Sequence, residues 1–393
     1  MRIFLYTCCF WVASFGSLVG QIPDTTGQAK RQELYAEALE LMGQYQYEEA
    51  QKLLSQCYIE KSKNIDFILK VAYCNAQMGR YPDAKLFYGE ALKVDSLNTL
   101  AISALGAIYE QELNYRKSFS YYQRLIQMDT TNGYFFKRNG YLALRLGDPL
   151  VALGYFLRAY EISSNDVEAM LQITNIFLSV GQLEEAEKMA NKVNFLDPNN
   201  IKNLHNRARL YQKQKEYEQV ASSVNRAMQN GDTTNYYQML LGVAYVELDS
   251  LDEAISTLTK IIERKKDNEY THHYLAIAYR DRGEIEESIK HFQIAIEKGA
   301  SPKMHAFHED LARVYVERNQ HRKALTHFAK AYEYKEEAKY LFQMARSADL
   351  YYKDKSIAMR HYKKYVASGD PKYRSYAQDR IKQLKEVLHF QKG

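Results

Sequence analysis

The chain has 393 residues, 46% apolar and 26% charged, which makes it a folding chain and excludes an intrinsically disordered one. A net charge of +5 is small for that length and does not argue for nucleic acid as a partner. Tyrosine is abundant, with 34 copies against one tryptophan, and prolines number only six.

Residues 1–20, MRIFLYTCCFWVASFGSLVG, carry one arginine, an apolar run from Ile3 to Val19 and then small residues, and read as an export signal. Cleavage is expected after Gly20 or Gly16, an uncleaved signal anchor being the rival reading. Residues 21–30 form a leader. Cys8 and Cys9 leave with the signal, so the exported chain keeps Cys57 and Cys74. These two either bridge, in an oxidising compartment, or pack as buried thiols.

From residue 31 a period governs the chain. Stepping by 34 from Ala50 reaches Ala84, Ser118, Ala152, Ala186, Val220, Ala254 and Ser288; steps of 36 and 34 then reach Ala324 and Ala358. Twelve residues before each anchor lies a second small site: Ala38, Ala72, Gly106, Gly140, Thr174, Ala208, Gly242, Ala276 and Ala312. The tenth place, Arg346, breaks the pattern. Ile102, Leu105, Gly106 and Tyr109 line one helical face, and Ser118, Tyr122, Leu125 and Ile126 line a second. Between such faces stands a break, glycine at Gly79, Gly147, Gly181 and Gly283, followed by an acid-rich turn such as Glu184-Glu185. Each unit is therefore helix, tight turn, helix. Small residues sit where the two helices cross, and bulky ones at Tyr88, Tyr122, Phe156, Phe292, Phe328 and Tyr362 fill the space beside the crossing. Pro82 and Pro149 fall at starts of second helices, while Pro198, Pro302 and Pro371 fall between units.

Beyond the array, residues 371–393 predict a capping helix with Tyr373, Ala377, Ile381, Leu384 and Leu388 on one face. Residues 330–393 hold seven more basic than acidic side chains, a solvated face or a contact for an acidic partner or an anionic membrane surface.

The unit resembles the tetratricopeptide repeat. Gly106, Tyr109, Tyr115 and Tyr122 fit that family's pattern of small and aromatic residues, as do Gly181, Ala186 and Pro198. The resemblance covers about residues 31–366, lacks the family's usual tryptophan, and leaves the tenth unit degenerate. It implies an all-α, right-handed superhelical solenoid of about ten units over residues 31–370, closed by the capping helix. It also implies a concave face built by the first helix of each pair. Carried onto this chain, that face holds Tyr73, Tyr134, Lys137, Tyr141, Asn175, His205, Arg209, Lys213, Tyr236, His273, Arg280 and Arg313. Tyrosine with arginine, lysine and asparagine suits an extended peptide. The carboxylate clamp of some family members is not expected, because its register from Lys137 meets Tyr141, Gln172, Lys202 and Asn206.

Catalytic signals are poor: there is no phosphate-binding glycine loop and no serine elbow, and His308-Glu309 lacks the second histidine of a zinc protease motif. Nine of ten histidines lie from His272 onward, and His305 with His308 is close enough to share a metal, yet no metal or cofactor is expected. The reading is a non-enzymatic scaffold, exported to the periplasm and associated with the outer membrane or signal-anchored. It would hold envelope proteins of an assembly or secretion complex. A glycan or cell-wall binder using the surplus tyrosines, and a regulatory subunit of an envelope enzyme, are the alternatives.

Overall fold

The structure, a computed structural model, describes residues 25–57, 64–299 and 301–390. The segment read as an export signal lies outside them. Among the described residues the elements are twenty-one α-helices and no strand, in two units, residues 1–163 and 164–393. Unit 1 holds four hairpins: α1 (Thr25–Gly43) with α2 (Tyr47–Cys57), α3 (Ile65–Gln77) with α4 (Tyr81–Val94), α5 (Thr99–Gln111) with α6 (Tyr115–Met128), and α7 (Gly133–Leu146) with α8 (Pro149–Ile162). Unit 2 holds six. They are α9 (Val167–Val180) with α10 (Leu183–Leu196), α11 (Ile201–Gln214) with α12 (Tyr217–Gln229), and α13 (Asn235–Glu247) with α14 (Leu251–Glu263). Then come α15 (Glu269–Asp281) with α16 (Ile285–Lys298), α17 (Met304–Glu317) with α18 (His321–Tyr334), α19 (Ala338–Tyr351) with α20 (Lys355–Ala367), and a last helix, α21 (Arg374–Phe390).

Polar side chains set where first helices begin. Asn64, Asn98, Asn132, Asp166, Asn200 and Asn268 each accept a backbone N–H from the first turn of the helix that follows, satisfying donors with no partner inside it. Nine of the ten first helices end at a left-handed residue, α19 being the exception with Tyr352 extended. Tyr45, Gly79, Leu113, Gly147, Gly181, Lys215, Asp249, Gly283 and Asn319 all have φ between 56° and 90°. The next N–H then reaches a carbonyl five residues back, as from Asp148 to Ala143 and from Glu216 to Tyr211, both at 2.9 Å. Four of these residues are the expected glycines. The other five carry side chains and take the strained conformation because the helices on either side impose it.

The crossing is as tight as the small residues imply. A Cβ on Gly140 would stand 2.8 Å from the Phe156 ring, one on Gly242 2.6 Å from Leu258, and one on Gly106 3.0 Å from Tyr122. The filler place runs through all ten hairpins as Leu54, Tyr88, Tyr122, Phe156, Ala190, Val224, Leu258, Phe292, Phe328 and Tyr362, each buried. Where the first helix presents the larger Thr174, the filler shrinks to Ala190, and Asn203 of the next hairpin donates to the Ala190 carbonyl at 3.0 Å. Cores are shared between neighbours: Ala72, Ala84 and Tyr88 of α3 and α4 pack with Ala101, Leu105 and Ile108 of α5. Within each unit, then, neighbouring hairpins complete one another's cores.

The break at Arg346 is a shift of one residue. Ala345 is fully buried in the small place and Arg346 is exposed, because α19 runs one residue further before its turn. Helix α21 buries Ala377 and Leu384 against Phe342, Tyr362 and Tyr365, with Tyr373 and Ile381 packed beside them. Arg380 does not point away as its place in the sequence suggests; it reaches back to Asp349 of α19 at 2.7 Å. The bridge considered for Cys57 and Cys74 is not formed: both thiols are free. The Cys57 thiol donates to the Arg31 carbonyl at 3.5 Å, while Cys74 is sealed among Phe67, Val71 and Leu54. Burial pushes the Cys74 thiol up to about 11.

The histidine-rich region forms two matched pairs. Nδ1 of His272 in α15 meets Nδ1 of His291 in α16 at 2.9 Å, and His308 in α17 meets His327 in α18 at 2.9 Å. Tyr279 and Tyr315 stack on the outer member of each pair. Such a bond needs one donor and one acceptor, so it fails when both rings are protonated. Desolvation by burial, helped by the partner ring and by Lys290 or Lys323, pulls His291 and His327 down to about 4; burial also lowers His272 and His308.

Three outcomes follow from the packing. Gly140→Ala should destabilise by about 2 kcal/mol, while Gly154→Ala, on α8 with nothing within 4 Å of its new Cβ, should stabilise by about 1 kcal/mol. Thermal unfolding followed by circular dichroism distinguishes the two. Lys215→Gly should stabilise by about 0.5–1 kcal/mol, the relief of a left-handed residue less the entropy of glycine. Acid should loosen unit 2. Folded values below the free imidazole value mean that the stability is complete above about pH 6.5 and is lost as pH falls toward 4. Between pH 7 and 5 the loss should be about 1 kcal/mol per pair after allowing for partial exposure. A melting temperature that does not move, or a fall undiminished in His291→Phe/His327→Phe, would contradict it.

Candidate functional site on the first helices

In unit 2 successive first helices touch, α9 against α11, α11 against α13 and α13 against α15, so their outward side chains share a face. The richest cluster spans α9, α11 and α13. Asn175 of α9 accepts from Arg209 Nη1 of α11 at 2.9 Å. One helical turn before Arg209, the His205 ring lies flat on Tyr237 of α13, centroids 3.5 Å apart and planes within 9°. Its Nε2 meets Asp232 Oδ2 at 2.7 Å. Tyr236 stands edge-on to Tyr237 at 5.0 Å and leaves 49% of its own surface open. Lys213, a turn beyond Arg209, is exposed.

The electrostatics favour a fixed floor with open donors above it. Burial alone would raise the Asp232 carboxyl, but hydrogen bonds from Thr234 and His205 outweigh it and hold it below the usual carboxylate range. Asp232 thereby fixes the His205 ring. Burial raises the Tyr237 phenol, opposed by the Arg209 guanidinium, so the ring stays neutral. Arg209 keeps donors beyond the one given to Asn175. The arrangement offers apolar ring area at low entropy cost beside a guanidinium that can pair with a carbonyl or carboxylate.

The other expected residues are placed differently. His273 of α15 is 8% exposed, bonded to Asp310 at 2.9 Å and stacked on Phe307, so it lies beneath the face. Arg280 is half-buried and holds Asp281 at 2.7 and 3.2 Å. Arg313 is exposed and pairs with Glu309, which also takes Lys339 and Tyr340, tying α17 to α19. In unit 1, Tyr73 of α3 is 40% exposed and meets Tyr47 edge-on. On α7, Tyr134 is 51% exposed beside Phe135, Lys137 is half-buried, and Tyr141 packs edge-on to Phe156. Tyr237 and Asp232 escaped the sequence reading. The signal for them was the adjacent Tyr236-Tyr237 pair and the Asp-x-Thr turn two residues earlier.

Among the described residues no group of three or more His, Cys, Asp or Glu could hold a metal ion, and no helix is long and apolar enough to cross a membrane.

Family models described as tetratricopeptide repeat match residues 236–268 and 275–340. The chain is 22% identical over 297 residues to the TPR repeat-containing protein MJ1428 of Methanocaldococcus jannaschii, covering 62% of this chain and 52% of that one. It is 25% identical over 108 residues to the TPR repeat-containing protein YpiA of Bacillus subtilis, covering 27% and 26%. It thus spans about half the length of the first relative and a quarter of the second. Among solved structures, a tetratricopeptide repeat protein from Parabacteroides merdae is similar at 16% identity and a TM-score of 0.45, covering 63% of this chain and 98% of that one. YrrB, described as a TPR protein with an unusual peptide-binding site, is similar at 23% identity and a TM-score of 0.41, covering 48% and 95%.

Proposed function

We propose that this chain, a tetratricopeptide-repeat protein, is an envelope scaffold that holds an extended segment of a partner protein on the first-helix face of unit 2. Proteins of this kind act as interaction scaffolds. The observation that carries the finer reading is the cluster of Asn175, His205, Arg209, Tyr236 and Tyr237. An open tyrosine ring sits there on a stacked, hydrogen-bonded floor beside a guanidinium with donors to spare. An anchor of that kind, an exposed aromatic on a fixed support, is where interface energy concentrates. The envelope setting rests on residues 1–20, whose apolar run and small residues read as an export signal.

The test is in-cell photocrosslinking. A photoreactive residue in place of Tyr236 should capture a protein partner. The same residue in place of Phe195, 86% exposed at the end of second helix α10, should not. Arg209→Glu with Tyr236→Ala should weaken recovery of that partner about tenfold or more. Adducts formed only from position 195 would remove the face from consideration. Retention of purified cell-wall polysaccharide by the wild type alone would favour the glycan reading instead. Intact-mass measurement of the purified native protein tests export: it should begin after Gly16 or Gly20.

A further inference from the structure

We propose that a pocket among α19, α20 and α21 is a binding site for an oxyanion, carboxylate or phosphate, on a small molecule. This goes beyond the scaffold reading, since it needs no partner protein and lies on different helices. The cavity measures about 320 Å³, within the range of small-ligand sites. Its chemistry comes from Arg346 and Asp349 of α19, Lys355 and Tyr362 of α20, and Tyr376 and Arg380 of α21.

Three cations against one carboxylate leave a surplus of two positive charges in this lining. The carboxylate is already occupied. Asp349, 8% exposed, accepts from Arg380 Nε at 2.7 Å and Nη2 at 3.3 Å, and Lys355 Nζ lies 3.4 Å from its Oδ1. Lys355 also donates to the Asp349 backbone carbonyl, and Arg380 Nη1 donates to Gln383 at 2.8 Å. Those bonds fasten α21 to α19 and account for Asp349, Arg380 and Lys355. They do not account for Arg346. Its guanidinium is exposed and makes no hydrogen bond or ion pair among the described residues, so the planar fork of donors that suits carboxylate and phosphate is free at the pocket wall. The one-residue shift of α19 puts it there, by giving the small place to Ala345 and turning the next residue outward. The Tyr362 and Tyr376 rings, tilted with centroids 6.4 Å apart, complete the lining.

The experiment is titration calorimetry and thermal unfolding of the full chain with inorganic phosphate and with glutarate, against sodium chloride at matched ionic strength. At least one probe should bind and raise the melting temperature above the chloride control. Arg346→Gln should weaken that binding about tenfold or more, while Arg360→Gln, an exposed cation of α20 outside the lining, should leave it unchanged. A response to glutarate alone assigns a carboxylate, to phosphate alone a phosphate, and to both an unselective oxyanion site. Neither probe acting beyond chloride, or binding that survives Arg346→Gln, overturns the proposal. So does an unliganded Arg346→Gln protein that melts well below wild type, because the arginine would then be structural.

Discussion

The close crossing of two helices is the constraint from which the rest of this molecule follows. Backbones can approach only where one helix presents almost no side chain, and the room beside that contact must then be filled. Gly140 under Phe156 and Gly242 under Leu258 show the limit, with no space for a single added carbon. Thr174 opposite Ala190 shows the same total volume divided the other way. Packing at crystal density permits such exchanges within a pair but not the loss of both partners' fit.

Because neighbouring hairpins within a unit share their cores, the buried faces leave little freedom, and chemical variety collects on the outward side of the first helices. Two bonds run between first helices, Asn175 to Arg209 and Lys339 to Glu309, and a third runs from Arg380 of the last helix to Asp349 of α19. Each gives an arginine or lysine a neighbouring helix to brace against, which fixes where its remaining donors point. That bracing turns a charged surface into a surface with geometry, and it is why the α9–α11–α13 cluster is the one proposed as an anchor.

The histidine pairs belong to the same logic. Each joins the two helices of one hairpin, α15 to α16 and α17 to α18, at a polar contact that needs at least one neutral ring to accept. Burial keeps them neutral, so the contact is secure at neutral pH and is weakened by acid.

The amino-acid order by itself determined the period, the helix pairs, the crossing residues and the final helix. These depend on the size and spacing of side chains along one strand of chain, and a periodic pattern carries both. The order could not reveal that Leu113 or Lys215 would be left-handed, since neighbouring helices impose that conformation and the residue's own preference does not. Nor could it reveal that His273 lies under the face while Tyr236 stands on it, or that His272 meets His291 nineteen residues away. Arg346 looked like a fault in the repeat and proved to be the open cation of a pocket made by three helices. Only the tertiary structure decided these. Each depends on which side chains converge from separate helices, and that convergence is set by helix rotation and a one-residue change in helix length, to which spacing along the chain is blind.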